Sequence, residues 1–155
     1  MNQLQPMSRA KHGNSRDSRE RRAVGLGGIF LRASDPSSLS EWYTTHLGIK
    51  TSDNMAIFAW NSPTPRGRRG STVWALFPKD SDYFPADRQV MLNYRVRNLR
   101  SVLAQLRKEG VKVVEKTETS SYGKFGWVYD PEGNKIELWE PPRGQRPSSH
   151  ELAME

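Results

Sequence analysis

The sequence predicts an α+β fold: two tandem βαβββ modules whose strands join into one pseudo-symmetric curved sheet around a central cleft. Three observations predict it. The stretch WVYDPEGNKIELWEPP (127–142) reads as a β-hairpin. A strand followed by an amphipathic helix occurs twice, at 27–47 and at 90–110. The two occurrences also repeat at a fixed distance: GIFLRASD (28–35) aligns with MLNYRVRN (91–98), and TVWALFP (72–78) with KIELWEP (135–141). Both offsets are 63 (91 − 28 and 137 − 74), which sets Arg32 on Arg95 and Pro78 on Pro141. A shared offset at both ends marks an internal duplication, and two such units bury one continuous core.

Residues 1–24 hold Arg9, Lys11, Arg16, Arg19, Arg21 and Arg22 with almost nothing apolar, and read as a disordered basic leader. Residues 27–33 then alternate as a strand, with Ile29, Leu31 and Ala33 on one face and Gly28, Phe30 and Arg32 on the other. Ser34 or Asp35 caps the following helix, and Pro36 sits where a missing N–H costs nothing. Leu39, Trp42, Tyr43 and Leu47 mark its core stripe, with Trp42 and Tyr43 expected against the sheet, and Gly48 ends it. His46, at that end, suits the helix dipole as a structural residue. Strands follow at 55–60 and 71–77, separated by a loop (61–70) carrying Arg66, Arg68 and Arg69 that reads as mobile.

The pattern then restarts. Residues 90–96 alternate Leu92, Tyr94 and Val96 against Met91, Asn93 and Arg95. Leu99, Val102, Leu103 and Leu106 give a helix that stops at Gly110, and 111–115 enters the next strand. In the closing hairpin Pro131 presets one turn torsion, while Gly133 and Asn134 tolerate a left-handed backbone. Ile136 and Leu138 share the buried face, so Glu137 and Trp139 point to the opposite one. Residues 143–155 form a tail, leaving 25–142 as the folded unit, with modules at about 25–80 and 88–142.

Composition narrows the function classes. Of the net charge of +7, the leader carries +4 and residues 141–155 none, so basicity belongs to the leader and nucleic acid is not the expected partner. With no cysteine there is neither disulfide nor thiolate chemistry. No apolar run approaches the roughly 20 residues of a membrane helix, and no signal-peptide core follows the N-terminus, so a cytoplasmic protein is expected.

The closing DPEGNKIEL and the strand-helix unit ending in EGV resemble the vicinal oxygen chelate superfamily of glyoxalases, bleomycin-resistance proteins and extradiol dioxygenases. The matching pieces are GGIFLRASDPSSLSEWYTTHLGI (27–49), VMLNYRVRNLRSVLAQLRKEGVKV (90–113) and FGWVYDPEGNKIELWEPP (125–142). The resemblance implies four pseudo-equivalent metal-ligand points, which fall here on Gly28, Trp74, Met91 and Glu137. Only Glu137 suits a hard or borderline divalent ion, whereas zinc, nickel or iron catalysis needs about three protein ligands. His12, His46 and His150 lie in presumed tails or at a helix end. No metal cofactor is therefore expected.

By alternation the cleft should hold Phe30, Arg32, Trp74, Asn93, Arg95 and Glu137, with Tyr83, Phe84 or Tyr122 added from loops. Aromatic surface with two cations, an amide and an acid suits a small planar or anionic organic molecule. The arginines could instead pair with acids such as Asp35, and Glu137 could be a relic bridged to Arg32 or Arg95. The expected function is metal-independent binding of such a ligand by a homodimer, as the resemblance implies. The alternative is a glyoxalase-like lyase or isomerase, or a dioxygenase-type enzyme, with Glu137 as base.

Overall fold

The structure is a computed structural model that describes residues 22–61 and 69–143. Most of the basic leader, the centre of the arginine loop (62–68) and the tail from 144 lie outside the described residues. The elements are β1 (Ala23–Ala33), α1 (Pro36–Leu47), β2 (Met55–Asn61), β3 (Arg69–Pro78), β4 (Val90–Val96), α2 (Leu99–Lys108), β5 (Lys112–Ser120), β6 (Gly123–Tyr129) and β7 (Lys135–Glu140). The seven strands form one curved sheet in the order β2-β3-β1-β4-β7-β6-β5.

The pairing carries the expected pseudo-symmetry. β1 and β4 meet antiparallel at the centre, and each has its own module's last strand parallel on its other side, β3 beside β1 and β7 beside β4. One detail differs from the repeat read in the sequence. Among the described residues, two strands follow α1 and three follow α2. In the first module, Asp53 and Asn54 take left-handed conformations (φ 51° and 61°) and turn the chain directly into β2, leaving a single bridge between Ser52 and Met55. β1 also starts earlier than the alternation indicates. Ala23 pairs with Val96, and Arg22 donates to both carboxylate oxygens of Glu109 at 2.7 and 2.6 Å, so residues 22–24 belong to the fold.

Both helices cover one face of the sheet. α1 is capped by Asp35, whose carboxylate accepts from the Ser38 N–H at 3.0 Å, and ends at Gly48 with φ 67°. α2 is capped by Asn98 at 3.0 Å from the Ser101 N–H, and the Glu140 carboxylate accepts from the Leu99 N–H at 2.7 Å, where a helix N-terminus favours negative charge. Under α2 lie Leu99, Leu103, Val96, Val128 and Leu138. Burying each such aliphatic side chain contributes roughly 1.5–3 kcal/mol. Under α1 lie Leu39, Tyr43, Ala56, Leu76 and Trp74. Trp42 was expected there too, but it is 50% exposed, set edge-on against Tyr43 at 5.2 Å. Leu47 is likewise exposed. The i, i+4 pair Leu39 and Tyr43 takes the sheet-facing line, and Trp42 lies one residue, about 100°, around the helix from Tyr43.

The opposite, concave face is lined by Phe30, Ala75, Met91 and Trp127, with Val73, Phe77 and Phe125 around them. Residues 79–89, which connect β3 to β4, fold over it and insert Tyr83 and Phe84 into this cluster. The site is built from this face and that connection.

Candidate functional site

The closing hairpin positions the central carboxylate. Asp130 Oδ1 accepts from the backbone N–H groups of Glu132 and Asn134, both at 2.9 Å, and Gly133 adopts φ 80°. These contacts fix the register, which pairs Trp127 with Glu137 and Phe125 with Trp139. Those four side chains share the concave face, while Ile136, Leu138 and Val128 pack under α2.

Glu137 is 1% exposed and accepts from three donors. Asn93 Nδ2 reaches Oε1 at 2.6 Å, Trp127 Nε1 reaches Oε2 at 2.9 Å, and the Tyr83 hydroxyl donates to Oε2. Neither Arg32 nor Arg95 is among its partners, so the alternative of a relic bridged to an arginine is not what holds it. Burial raises its pKa from the ordinary carboxylate value, outweighing the three donors that favour the anion. Burial and the neighbouring Glu137 charge push the Tyr83 phenol up as well, so it stays protonated and can only donate to a charged Glu137. Asn93 is 2% exposed, and its Oδ1 has no hydrogen-bond partner. Glu137 thus ties β7 to β4, β6 and the 79–89 connection.

Arg32 faces the concave side at the end of β1 but does not open onto a cleft. It donates to five backbone carbonyls: Nε to Arg88 at 3.2 Å, Nη1 to Lys79 and to Ser81 at 3.0 Å, Nη2 to Phe84 at 2.9 Å and Pro85 at 3.2 Å. Its guanidinium also lies 4.6 Å from the Phe84 ring centre. A planar fork of five N–H donors is suited to gathering carbonyls from a folded-over segment. Arg32 therefore fastens the connection and has no donor left for a ligand, and Asp35, the acid offered as an alternative partner for the arginines, caps α1 instead.

Trp74 is the clearest correction. It faces α1, its ring 4.7 Å from that of Tyr43, on the opposite side of the sheet from the cleft. The parallel registers explain the slip. Phe30 pairs with Ala75, and Asn93 pairs with Glu137, so the first-module counterpart of Glu137 is Ala75 at an offset of 62 (137 − 75). Both faces of β3 are covered, one by α1 and one by the concave cluster, so residues 73–77 are apolar throughout and alternation does not select a face. Phe30 does lie in the concave core, close to Phe77 (5.4 Å between ring centres). Of the loop aromatics considered, Tyr83 and Phe84 join the site, whereas Tyr122 is exposed on the β5–β6 turn.

Arg95 has different surroundings. It is half-buried, with its guanidinium 4.7 Å over the Trp139 ring and 5.9 Å from that of Trp60. Phe125 stands parallel to Trp139, at 4° and 6.3 Å. Among the described residues the one acceptor in reach of Arg95 is the Ser71 carbonyl, at 3.4 Å from Nη1. Desolvation lowers its pKa. Trp60, which the sequence reading left out, lies across Gly25 and Gly70, where an added Cβ would sit 2.6 and 2.4 Å from its ring carbons. Both indole N–H groups are occupied, Trp60 by Thr72 Oγ1 at 3.0 Å and Trp139 by the Tyr122 carbonyl at 2.7 Å. Trp127 and Phe125 are not among the expected cleft residues, although hairpin register sets them beside Glu137 and Trp139; no sequence signal points to Trp60.

Comparison with known proteins agrees with this fold. No curated protein matches the chain. A methylmalonyl-CoA epimerase from Mycobacterium tuberculosis is 24% identical with a TM-score of 0.50, covering 77% of this chain and 89% of its own. A Streptomyces coelicolor methylmalonyl-CoA epimerase in complex with 2-nitronate-propionyl-CoA is 16% identical at 0.59, covering 81% and 99%. A glyoxalase/bleomycin resistance protein/dioxygenase superfamily member from Vibrio splendidus 12B01 is 12% identical at 0.51, covering 75% and 99%. At these identities the likeness concerns the fold. Among the described residues no helix is long and apolar enough to cross a membrane. The glyoxalase-like domain model matches residues 28–139, the two modules with their central sheet, and the chain belongs to that family.

Proposed function

We propose that this chain is a small-molecule binding protein of the glyoxalase and bleomycin-resistance type, holding a small aromatic or anionic organic ligand on its concave face without a catalytic metal. The observation that carries the reading is the condition of Glu137. Both its oxygens already accept hydrogen bonds, and it is closed off beneath Tyr83. A general base must reach the proton it takes, directly or through one water. Among the described residues Glu137 reaches only its own three donors.

The metal points lead the same way. Gly28 has no side chain, Ala75 offers a methyl, Met91 a buried thioether, and Glu137 a buried carboxylate already engaged by three donors. That donor set does not fit a divalent ion. The protein acts as a homodimer in this reading, consistent with Met55, Ile57 and Phe58 exposed on the edge strand β2.

A thermal-shift panel of aromatic and anionic compounds tests the reading, run beside turnover assays for glyoxalase, epimerase and dioxygenase chemistry. Ligand-dependent stabilisation without turnover is expected. Turnover that disappears in Glu137→Gln while ligand affinity persists would make the chain an enzyme using Glu137 as base, and overturn the proposal.

A further inference from the structure

The Arg95 end of the concave face is not explained by packing. A guanidinium carries five N–H donors, and a half-buried one normally meets a carboxylate or several carbonyls. Arg32, in the same fold, shows the second solution, with five carbonyls around it. Arg95 has neither: a single long hydrogen bond to Ser71, and no carboxylate within ion-pair reach among the described residues. Its flanks are aromatic, Trp139 and Trp60, with Phe125 beyond. Trp60 and Phe125 are partly exposed, whereas Trp139 is buried.

We propose that Arg95 is the anion-recognition point of the cleft and that the ligand is an aromatic carboxylate. Its carboxylate takes the two-pronged face of the Arg95 guanidinium, and its ring lies against the partly exposed face of Trp60. This inference rests on the binding reading above and narrows it to a ligand class and a residue. A carboxylate matches the guanidinium fork in shape as well as charge. The ring is recognised by stacking because both indole N–H groups are already bonded. Holding Arg95 on the Trp139 face fixes its direction before a ligand arrives, which lowers the ordering cost of binding.

The test is equilibrium dialysis of the full chain with three probes of one shape: 2-naphthoate, its methyl ester and 2-naphthylmethylammonium. Naphthoate is expected to bind at least about tenfold more tightly than the ester, and the ammonium probe most weakly. This comparison uses the wild-type chain and needs no substitution. In Arg95→Met, which keeps the apolar stem, naphthoate affinity should fall about tenfold or more while ester affinity stays the same, and Arg95→Lys should recover part of the loss. Equal affinity for naphthoate and ester, or an unchanged naphthoate affinity in a folded Arg95→Met protein, would overturn the assignment of Arg95 and leave the wider binding reading standing. Absence of all three probes from the protein would also overturn this inference, with the thermal-shift panel deciding the wider reading separately.

Discussion

Replacing Glu137 separates a structural hub from a catalytic base. In Glu137→Leu the carboxylate is lost with little change in volume, leaving the Tyr83 hydroxyl, Asn93 Nδ2 and Trp127 Nε1 with no acceptor. A buried donor left unpaired costs about 1–3 kcal/mol. Three donors would then cost about 3–9 kcal/mol, reduced because the substitution also removes a buried carboxylate that has no cation bonded to it, whose desolvation costs several kcal/mol. The expected net loss is about 3 kcal/mol, read by urea unfolding at pH 7.

Glu137→Gln behaves differently. Its carbonyl can accept from Tyr83 and Trp127, and its amide can donate to Asn93 Oδ1 once the Asn93 amide rotates. The count of unpaired buried atoms barely changes, so stability should stay within about 1 kcal/mol of wild type. The pH dependence gives a second check. The folded-state pKa of Glu137 is raised above its ordinary value of 4.5, so the folded state holds the proton more tightly than the unfolded chain. That contribution is fully present below about pH 4.5 and is lost as pH rises through the raised folded value. The wild type should therefore gain stability relative to Glu137→Gln as pH falls from 7 toward 4.5. A Glu137→Leu protein within about 1 kcal/mol of wild type, with no difference in pH slope between wild type and Glu137→Gln, would refute the hub.

Further substitutions probe the rest of the arrangement. Arg32→Met should destabilise the protein by about 3 kcal/mol or more, because it leaves five carbonyls of the 79–89 connection without their shared donor, and hydrogen exchange should show the loss concentrated in that segment. Trp74→Ala should cost about 3–5 kcal/mol in unfolding free energy by opening a cavity beneath α1, yet leave probe binding on the other face unchanged. Gly70→Ala should displace the Trp60 ring, since the new Cβ would sit 2.4 Å from it, with a cost of about 1–3 kcal/mol and weaker naphthoate binding by dialysis.

Much of the fold could be read directly because local signals were strong where one face of an element is buried. KIELWE alternates in polarity, so Glu137 and Trp139 were assigned to the correct face, as were Met91, Asn93 and Arg95. The caps at Asp35 and Asn98 and the turn at Gly133 follow from residue type and position alone. Trp74 was misplaced because VWALF is apolar on both faces, and nothing in such a run says which residue looks at the helix. Aligning Pro78 with Pro141 then fixed the wrong one-residue register. Arg32 was misread for another reason. Its partners are backbone carbonyls 47 to 56 residues away in a segment without regular structure, and carbonyls leave no trace in the choice of side chain. The partners of Glu137 illustrate both cases: Trp127 follows from hairpin register, whereas Tyr83 arrives on the connection and becomes visible only once Arg32 has fastened it.

The most direct measurement of the central claim is the metal stoichiometry of the untagged protein, as purified and after equilibration with nickel, zinc, iron or manganese, in wild type and Glu137→Ala. A carboxylate already holding three donors, with glycine, alanine and methionine at the three equivalent points, predicts no stoichiometric metal under any of these conditions. One equivalent of metal per chain that is lost in Glu137→Ala would contradict it, showing that Tyr83, Asn93 and Trp127 release the carboxylate and that the concave face is a metal-dependent active site.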